Sequence, residues 1–428
     1  MARPPPPLPM KTLADWLAYV ERQHPQAIAL GLERVREVAA RMGLGRPAKR
    51  VITVAGTNGK GSTVAFVEAI ARAAGWKVGA YSSPHLLRYN ERVRIDGAEA
   101  EDRALVAAFE AVEQARGGTP LTYFEYGTLA ALWLFARERL DLAVLEVGLG
   151  GRLDAVNLVD ADVAVITTVD LDHQDWLGGD REAIGAEKAG IARPWKPLVL
   201  GEDDPPSSVL GRAYAIGASA LRAGCDFFFE PLDAGRWRWR EVGFTLELPI
   251  PRLAAPAQLR NAATAIAALR ALRKPLPREA WARGVESAFV PGRLQRFERG
   301  GVEIVVDVGH NPQAARELAG WLRAQPAPGR TFAVFAALGD KDIAGVAAAL
   351  AERVEGWWLA GLTEAGARGL DVDAFALRLA GTAAGAGARH ATVGAGLAAA
   401  RAQATAGDRI LVFGSFHTAA AALQALAT

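Results

Sequence analysis

The chain has little of several things: one cysteine, three methionines and no charge excess worth the name in its 428 residues. A lone cysteine, Cys225, cannot close an internal disulfide, which points to a reducing compartment, the cytoplasm. Its neighbours Asp226 and Phe227 onward read as a strand, so Cys225 is expected to pack rather than to act as a nucleophile. One of the longer apolar stretches, 127–136, is far too short to cross a bilayer. The proline run after Met1 is followed by no apolar h-region, so it reads as a loose polyproline-like tail and not as a secretory signal. With 49 basic against 47 acidic residues the net charge is +2, which gives no support for a nucleic-acid or anionic-membrane partner.

What is present is the composition of a soluble globular protein with a large core, 51% hydrophobic and 22% charged. The length predicts two or three domains. Apolar runs alternate with segments of helical period. Strands are expected at 51–55, 77–81, 142–147 and 162–169, with helices at 63–74 and 129–140. That alternation predicts a mainly parallel sheet covered on both faces. The segment 226–248 differs, with two or three alternating strands close together. Its Arg236-Trp237-Arg238-Trp239-Arg240 run has the basic–aromatic pattern of a single-strand nucleic-acid groove, but one strand is not a groove. A half-exposed strand with tryptophans facing inward is the expectation. Four further strands, at 302–308, 331–337, 356–360 and 408–413, predict a second α/β domain. Glycine, proline and charge cluster at 291–301, which places the domains at 1–295 and 296–428. The small-residue stretch 380–407 reads as helices and loops.

The sharpest motif runs from Gly56 through Thr57, Asn58, Gly59, Lys60 and Gly61 to Ser62, between a strand and a helix. Glycines let backbone N–H groups approach phosphate oxygens, and the helix N-terminus adds its positive dipole end. Lys60 is placed to reach the β- and γ-phosphates. The spacing departs from the common form of this loop: the first glycine precedes the second by three residues rather than five, and Gly61 stands where serine or threonine is usual.

Other chemistry-bearing residues fall at expected strand ends, where open α/β sheets build their sites. Ser83 and His85 follow the strand ending at Tyr81, and Glu146 ends an apolar strand. His173 follows the strand ending at Val169, and Lys188 lies downstream. Glu146 is where a metal-binding acid would stand beside a phosphate loop. Magnesium favours one or two carboxylates, waters and phosphate oxygens, so Ser83, Glu146 and His173 together make a partial shell. Each alone fits a structural hydrogen-bonding role equally well. His310 and His417 also follow strand candidates.

The strings GTNGKGS, SSPHL with RYNERVRI, TYFEYGTLAALWLF, EVGLGGRLDAVN, DLDHQDWLG with EKAGI, PGR, DVGHNP, GDKD and GSFHT occur in that order across most of the chain. Together they resemble the folylpolyglutamate synthase family of the Mur ligase superfamily, closest to its bacterial bifunctional branch. The resemblance implies a phosphate-loop N-terminal domain with a mainly parallel sheet and a smaller Rossmann-like C-terminal α/β domain, with the active site between them. It implies ATP and Mg²⁺ as cofactors, and dihydropteroate, reduced folates and L-glutamate as substrates of a monomeric ligase. It assigns nucleotide contacts to Thr57–Ser62, Asn261, Arg293 and Asp307, and metal ligands to Ser83, Glu146 and His173, with Lys188 carried as a carbamate. It makes Lys60, Lys188, His173 and His310 catalytic. It places the pteroyl group on Thr122, Tyr123, Phe124, Glu125, Leu153, Asp154 and Ala155, and puts Asp307, His310 and Ser415 near ATP and glutamate. One departure is Gly309, where the family pattern has alanine, a change expected only to loosen that loop. A tail-extending synthase without dihydropteroate activity, another Mur-type amino-acid ligase and a non-catalytic nucleotide switch are the alternatives.

Overall fold

The structure is a computed structural model describing residues 12–427 except 25, 27, 234 and 253–256; the proline-rich start therefore lies outside the described residues. The described residues up to Arg252, together with Leu259–Phe289, form one compact unit, and Ala257, Gln258 and those from Val290 onward form another.

The first unit is built on eight strands: β1 (Val51–Ala55), β2 (Val78–Tyr81), β3 (Val93–Ile95), β4 (Ala98–Glu99), β5 (Leu142–Glu146), β6 (Val163–Ile166), β7 (Pro197–Leu200) and β8 (Ser219–Arg222). Their order is β4-β3-β2-β5-β1-β6-β7-β8. The six from β2 to β8 are parallel, and only the β2–β3–β4 edge is antiparallel. β1 and β5 are buried at every position, as a parallel strand covered on both faces must be. The chain runs from β1 past the place of β5 to β2, and β6 adds on the other side. The order therefore turns around β1, and a crevice opens at the carboxyl ends of the strands there.

Three strands, β9 (Phe227–Pro231), β10 (Arg236–Glu241) and β11 (Phe244–Pro249), form an antiparallel sheet in the order β11-β10-β9. Trp237 and Trp239 are fully buried, and their indole N–H groups donate to Pro249 O and Ala263 O at 2.9 and 3.1 Å. Arg238, on the other face, pairs with Glu230 and Glu247. The basic–aromatic run is thus an ordinary half-exposed strand.

The second unit holds β12 (Gln295–Arg299), β13 (Val302–Val306), β14 (Thr331–Phe335), β15 (Gly356–Ala360), β16 (Ala388–His390) and β17 (Arg409–Phe413), ordered β12-β13-β17-β14-β15-β16. All neighbours are parallel except β12 with β13. Phe335 and Phe413 stack at 4.7 Å in its core.

Several expectations need correction. Cys225 is exposed in a turn before β9 rather than packed. The helix placed at 129–140 is Tyr123–Phe135, because Thr122 and Glu125 close a reciprocal cap that starts it six residues earlier. The stretch 380–407 includes β16 as well as the helix Val393–Gln403. Among the described residues no helix is long and apolar enough to cross a membrane.

Candidate active site

Four chain segments emerge at the carboxyl ends of neighbouring strands in the first unit, after β1, β2, β5 and β6. The loop after β1 turns at two glycines. A β-carbon on Gly56 would stand 1.8 Å from Thr167 Oγ1, and Gly59 has φ +87° at the mouth of the helix Lys60–Ala73. No side chain caps that helix, so its first N–H groups face the place where an anion would sit. The loop is tied to the segment after β6. Thr57 N donates to Thr168 O at 2.8 Å, Asn58 N to Thr168 Oγ1 at 3.1 Å, and Asp170 N to Thr57 Oγ1 at 3.0 Å. Lys60 Nζ donates to Gly56 O and Thr57 O at 2.9 and 3.3 Å, which holds the ammonium over the loop. Ser62 is buried in the first turn. Asn261 is 6% exposed, and its amide oxygen lies against Gly59.

Glu146 ends β5 and is 4% exposed, and its Oε2 accepts Ser83 N at 3.2 Å. The Ser83–Pro84 peptide is cis. A β-carbon on Gly61 would stand 3.6 Å from Glu146 Oε2. The carboxylate thus stands against the first turn of the helix, at the position where the common loop has a hydroxyl residue. His173 begins a short helix in left-handed conformation, φ +51°, with Nε2 3.9 Å from Asp172 Oδ2. Lys188, in the helix Arg181–Ala189, is 3% exposed. Burial pushes its amine down to about 7, and the charge of Lys60 adds to that, while Asp172 and Asp154 oppose it. Gly151 packs on the Lys188 backbone, where a β-carbon would stand 3.0 Å from its Cα.

Ser83 and Glu146 are thus in contact, and Lys188 shares its surroundings with Lys60, Asp154 and Asp172. Among the described residues no three His, Cys, Asp or Glu side chains converge on one point. A buried carboxylate beside an uncapped helix start fits magnesium, which keeps several waters and takes phosphate oxygens rather than a full protein cage.

The segments expected to hold the pteroyl group adjoin this region. Phe124 lies against Gly148 and 6.0 Å from the Tyr81 ring. Glu125 is occupied internally: it accepts Thr122 N at 2.8 Å and pairs with Arg34 at 2.9 Å. Leu153 O accepts Gly31 N at 3.3 Å. Asp154 is 3% exposed and accepts Leu149 N and Val156 N at 2.9 and 3.0 Å. Burial nevertheless raises its carboxyl to about 7. Ala155 opens the turn Ala155–Leu158 that Asp154 caps.

In the second unit Asp307 follows β13 and accepts Leu294 N and Gly309 N at 2.8 and 2.7 Å. Burial raises its carboxyl, against the Arg293 charge and those amides. A β-carbon on Gly309 would stand 3.0 Å from Asp307 Oδ1, so glycine relieves a tight contact there. His310 Nδ1 donates to Val308 O at 3.0 Å, and the His310 ring and the Arg293 guanidinium both approach Phe416, at 6.3 and 5.5 Å. Ser415 Oγ is 2.7 Å from Thr418 Oγ1. The sequence reading did not single out Arg92, which lies inside the RYNERVRI string with its guanidinium over the Tyr123 ring.

A phosphate loop whose helix is left uncapped, an acid at the next strand end and a second Rossmann-like unit define the class: an ATP-dependent acid–amino-acid ligase of the Mur type. Residues 54–226 match the Mur ligase middle domain, and residues 292–416 the glutamate ligase domain of Mur ligases. The dihydrofolate synthase/folylpolyglutamate synthase of Escherichia coli (strain K12) is 49% identical over 97% of this chain and 95% of its own. That of Haemophilus influenzae is 41% identical over 95% and 96%. Among solved structures, E. coli FolC in complex with DHPP and ADP superposes with a TM-score of 0.93, at 48% identity and 99% coverage of both chains. A bifunctional folylpolyglutamate synthase/dihydrofolate synthase with Mn, AMPPNP and L-glutamate bound gives 0.90 at 46% identity, over 98% of this chain and 99% of that one. The chain belongs to the dihydrofolate synthase/folylpolyglutamate synthase family.

Proposed function

We propose that this chain joins L-glutamate to dihydropteroate, forming dihydrofolate, and to reduced folates, forming polyglutamates, with ATP as the energy source. The observation that carries the reading is the Lys60 loop beside the Ser83–Glu146 contact, with the 122–125 and 153–155 segments adjoining it in the same unit. The relatives bearing both activities in their names span nearly the whole chain.

The chemistry runs in two steps. The acid's carboxylate attacks the γ-phosphate of ATP, releasing ADP and leaving an acyl phosphate. The glutamate amine then attacks the acyl carbon, phosphate leaves, and the amine loses a proton as the amide forms. Lys60 and the N–H groups at the start of the helix Lys60–Ala73 meet the charge on the transferring phosphoryl group. Asn261, Arg293 and Asp307 hold the nucleotide; His310 and Ser415 serve glutamate. Ser83, Glu146, His173 and a carbamylated Lys188 would hold divalent metal, which when bound spreads the phosphate charge. Lys188 suits carbamylation because its buried amine is pushed down to about 7, and only a neutral amine takes up carbon dioxide. The phosphate-loop domain is read as 1–295 and the glutamate-ligase domain as 296–428, a division close to Val290, where the described residues change unit. The protein is read as a cytoplasmic monomer acting on small molecules without nucleic-acid or membrane partners.

The test is phosphate release from MgATP with glutamate, offered dihydropteroate or tetrahydrofolate separately. Glutamate-dependent release with both supports the dual activity. Release with tetrahydrofolate alone leaves a tail-extending synthase, and release with neither overturns the reading.

A further inference from the structure

Arg92 ends the 3-10 turn Tyr89–Arg92 and is 9% exposed. Its Nε donates to His85 Nδ1 at 2.8 Å, and its guanidinium carbon lies 5.4 Å from the ring centres of both Tyr89 and Tyr123. Among the described residues no carboxylate pairs with it, and neither terminal nitrogen has a hydrogen-bond partner. The other nearly buried arginines of this unit are paired: Arg94 with Glu68 at 2.8 Å and Arg116 with Glu113 at 2.7 Å. The acid next to Arg92 is already engaged, since the Glu91 oxygens accept Leu86, Leu87 and Arg88 N at 2.6–2.7 Å. A guanidinium stays charged at any physiological pH, and burial of an unpaired charge is unfavourable. Two tyrosine faces offset part of that cost. What they leave is a fixed cation whose free fork lacks an anion.

Tyr123 puts this cation on the wall of the 122–125 segment. The Tyr81 hydroxyl, pushed up to about 12 by burial, feels the positive charge of Arg92 and the negative charge of Asp154. The Tyr81 ring stands 6.0 Å from that of Phe124, in the same segment as Tyr123. An aromatic wall with a base set in it matches a ligand with an aromatic centre and a carboxylate. Dihydropteroate has one carboxylate, which must travel to the Lys60 loop to be activated. A reduced folate has two on its glutamate; one is activated and the other remains an anion nearby. An arginine clamped on the reacting carboxylate would lower its nucleophilicity. On the spectator carboxylate it costs the reaction nothing.

We propose that Arg92, oriented by His85 and the Tyr89 and Tyr123 faces, binds the unreacting carboxylate of the folate substrate and so determines specificity for tail extension over dihydropteroate ligation. This rests on the substrate reading above. The test compares Arg92→Gln and Arg92→Lys with the parent protein, measuring KM for tetrahydrofolate and for dihydropteroate, with thermal midpoint and ADP affinity as checks on folding. Arg92→Gln should raise the ratio of the two KM values, tetrahydrofolate over dihydropteroate, about tenfold or more, the scale of one charge-assisted hydrogen bond. Arg92→Lys should recover part of it. An equal rise for both substrates, or no change in the ratio, overturns the proposal. If the parent protein ignores dihydropteroate, the dual activity fails separately. Arg92 is then read by calorimetric binding of folate against pteroate in the presence of ADP: loss of the preference for folate in Arg92→Gln supports it, and an unchanged preference overturns it.

Discussion

The amide oxygen of Asn261 lies 2.4 Å from the position a β-carbon would take on Gly59. That glycine also has φ +87°, a region an L side chain enters only with strain. Gly59→Ala should therefore displace Asn261 and distort the start of the helix Lys60–Ala73. We expect a stability loss of about 1–2 kcal/mol and a roughly tenfold weaker ADP affinity. Chemical denaturation and calorimetry would show it. Unchanged nucleotide binding would mean that this contact does not shape the site.

Lys60 is already held over the loop by Gly56 O and Thr57 O, so its charge is in place before nucleotide arrives. Lys60→Ala should lower kcat by roughly a thousandfold while moving the thermal midpoint little. Single-turnover measurement of acyl phosphate formation would place the loss in the first step. Near-parent turnover at saturating ATP would exclude this role.

Lys188 carries a pH signature. Its folded pKa is about 7 against 10.5 for an ordinary lysine. Below about 7 the amine is charged both folded and unfolded, and its burial penalty is constant. Between about 7 and 10.5 the unfolded chain binds the extra proton, so stability rises with pH across that window. In carbon-dioxide-free buffer the thermal midpoint should climb on this account, and Lys188→Met should flatten the climb. Added bicarbonate should raise activity of the parent protein and not of the variant. Equal response of the two would rule out a carbamate at this position.

A purely structural prediction concerns Asp408, 3% exposed at the foot of β17. It accepts Arg330 N at 2.7 Å, Thr405 N at 2.9 Å, Thr405 Oγ1 at 3.1 Å and Arg330 Nη2 at 3.0 Å. Asp408→Ala strands the two amides and should destabilise by about 3 kcal/mol. Asp408→Asn, which keeps one acceptor oxygen, should lose less. Urea denaturation followed by tryptophan fluorescence reads both.

What the sequence revealed was local. A β-branched run, two glycines and a lysine sit within a dozen residues, and an acid ends an apolar run at Glu146; neither needs tertiary knowledge. Thr122 and Glu125 were equally legible as a capping pair, and overlooking them misplaced the helix that begins at Tyr123. Cys225 looked like core because three phenylalanines follow it, yet the strand starts only at Phe227. Arg92 was hidden for a different reason. Its isolation depends on where Glu91 spends its oxygens and on a tyrosine thirty-odd residues away, which no spacing encodes. The same holds for Asp154, whose raised carboxyl comes from burial beneath segments far along the chain.

The helix Arg278–Ser287 packs so tightly on Lys60–Ala73 that a β-carbon on Gly284 would stand 2.3 Å from the Ile70 Cα. Asn261, against the phosphate loop, comes from the same late stretch. Protein synthesis runs from the N-terminus, so the loop at 56–62 is made roughly 200 residues before the pieces that pack on it. While the ribosome is still adding that stretch, the nascent chain exposes the face of the helix Lys60–Ala73 that Gly284 will cover. The helix Lys60–Ala73 gains this cover only once residues 278–287 have left the exit tunnel, and a chaperone that guards the nascent chain would have that exposed helix face to hold in the interval.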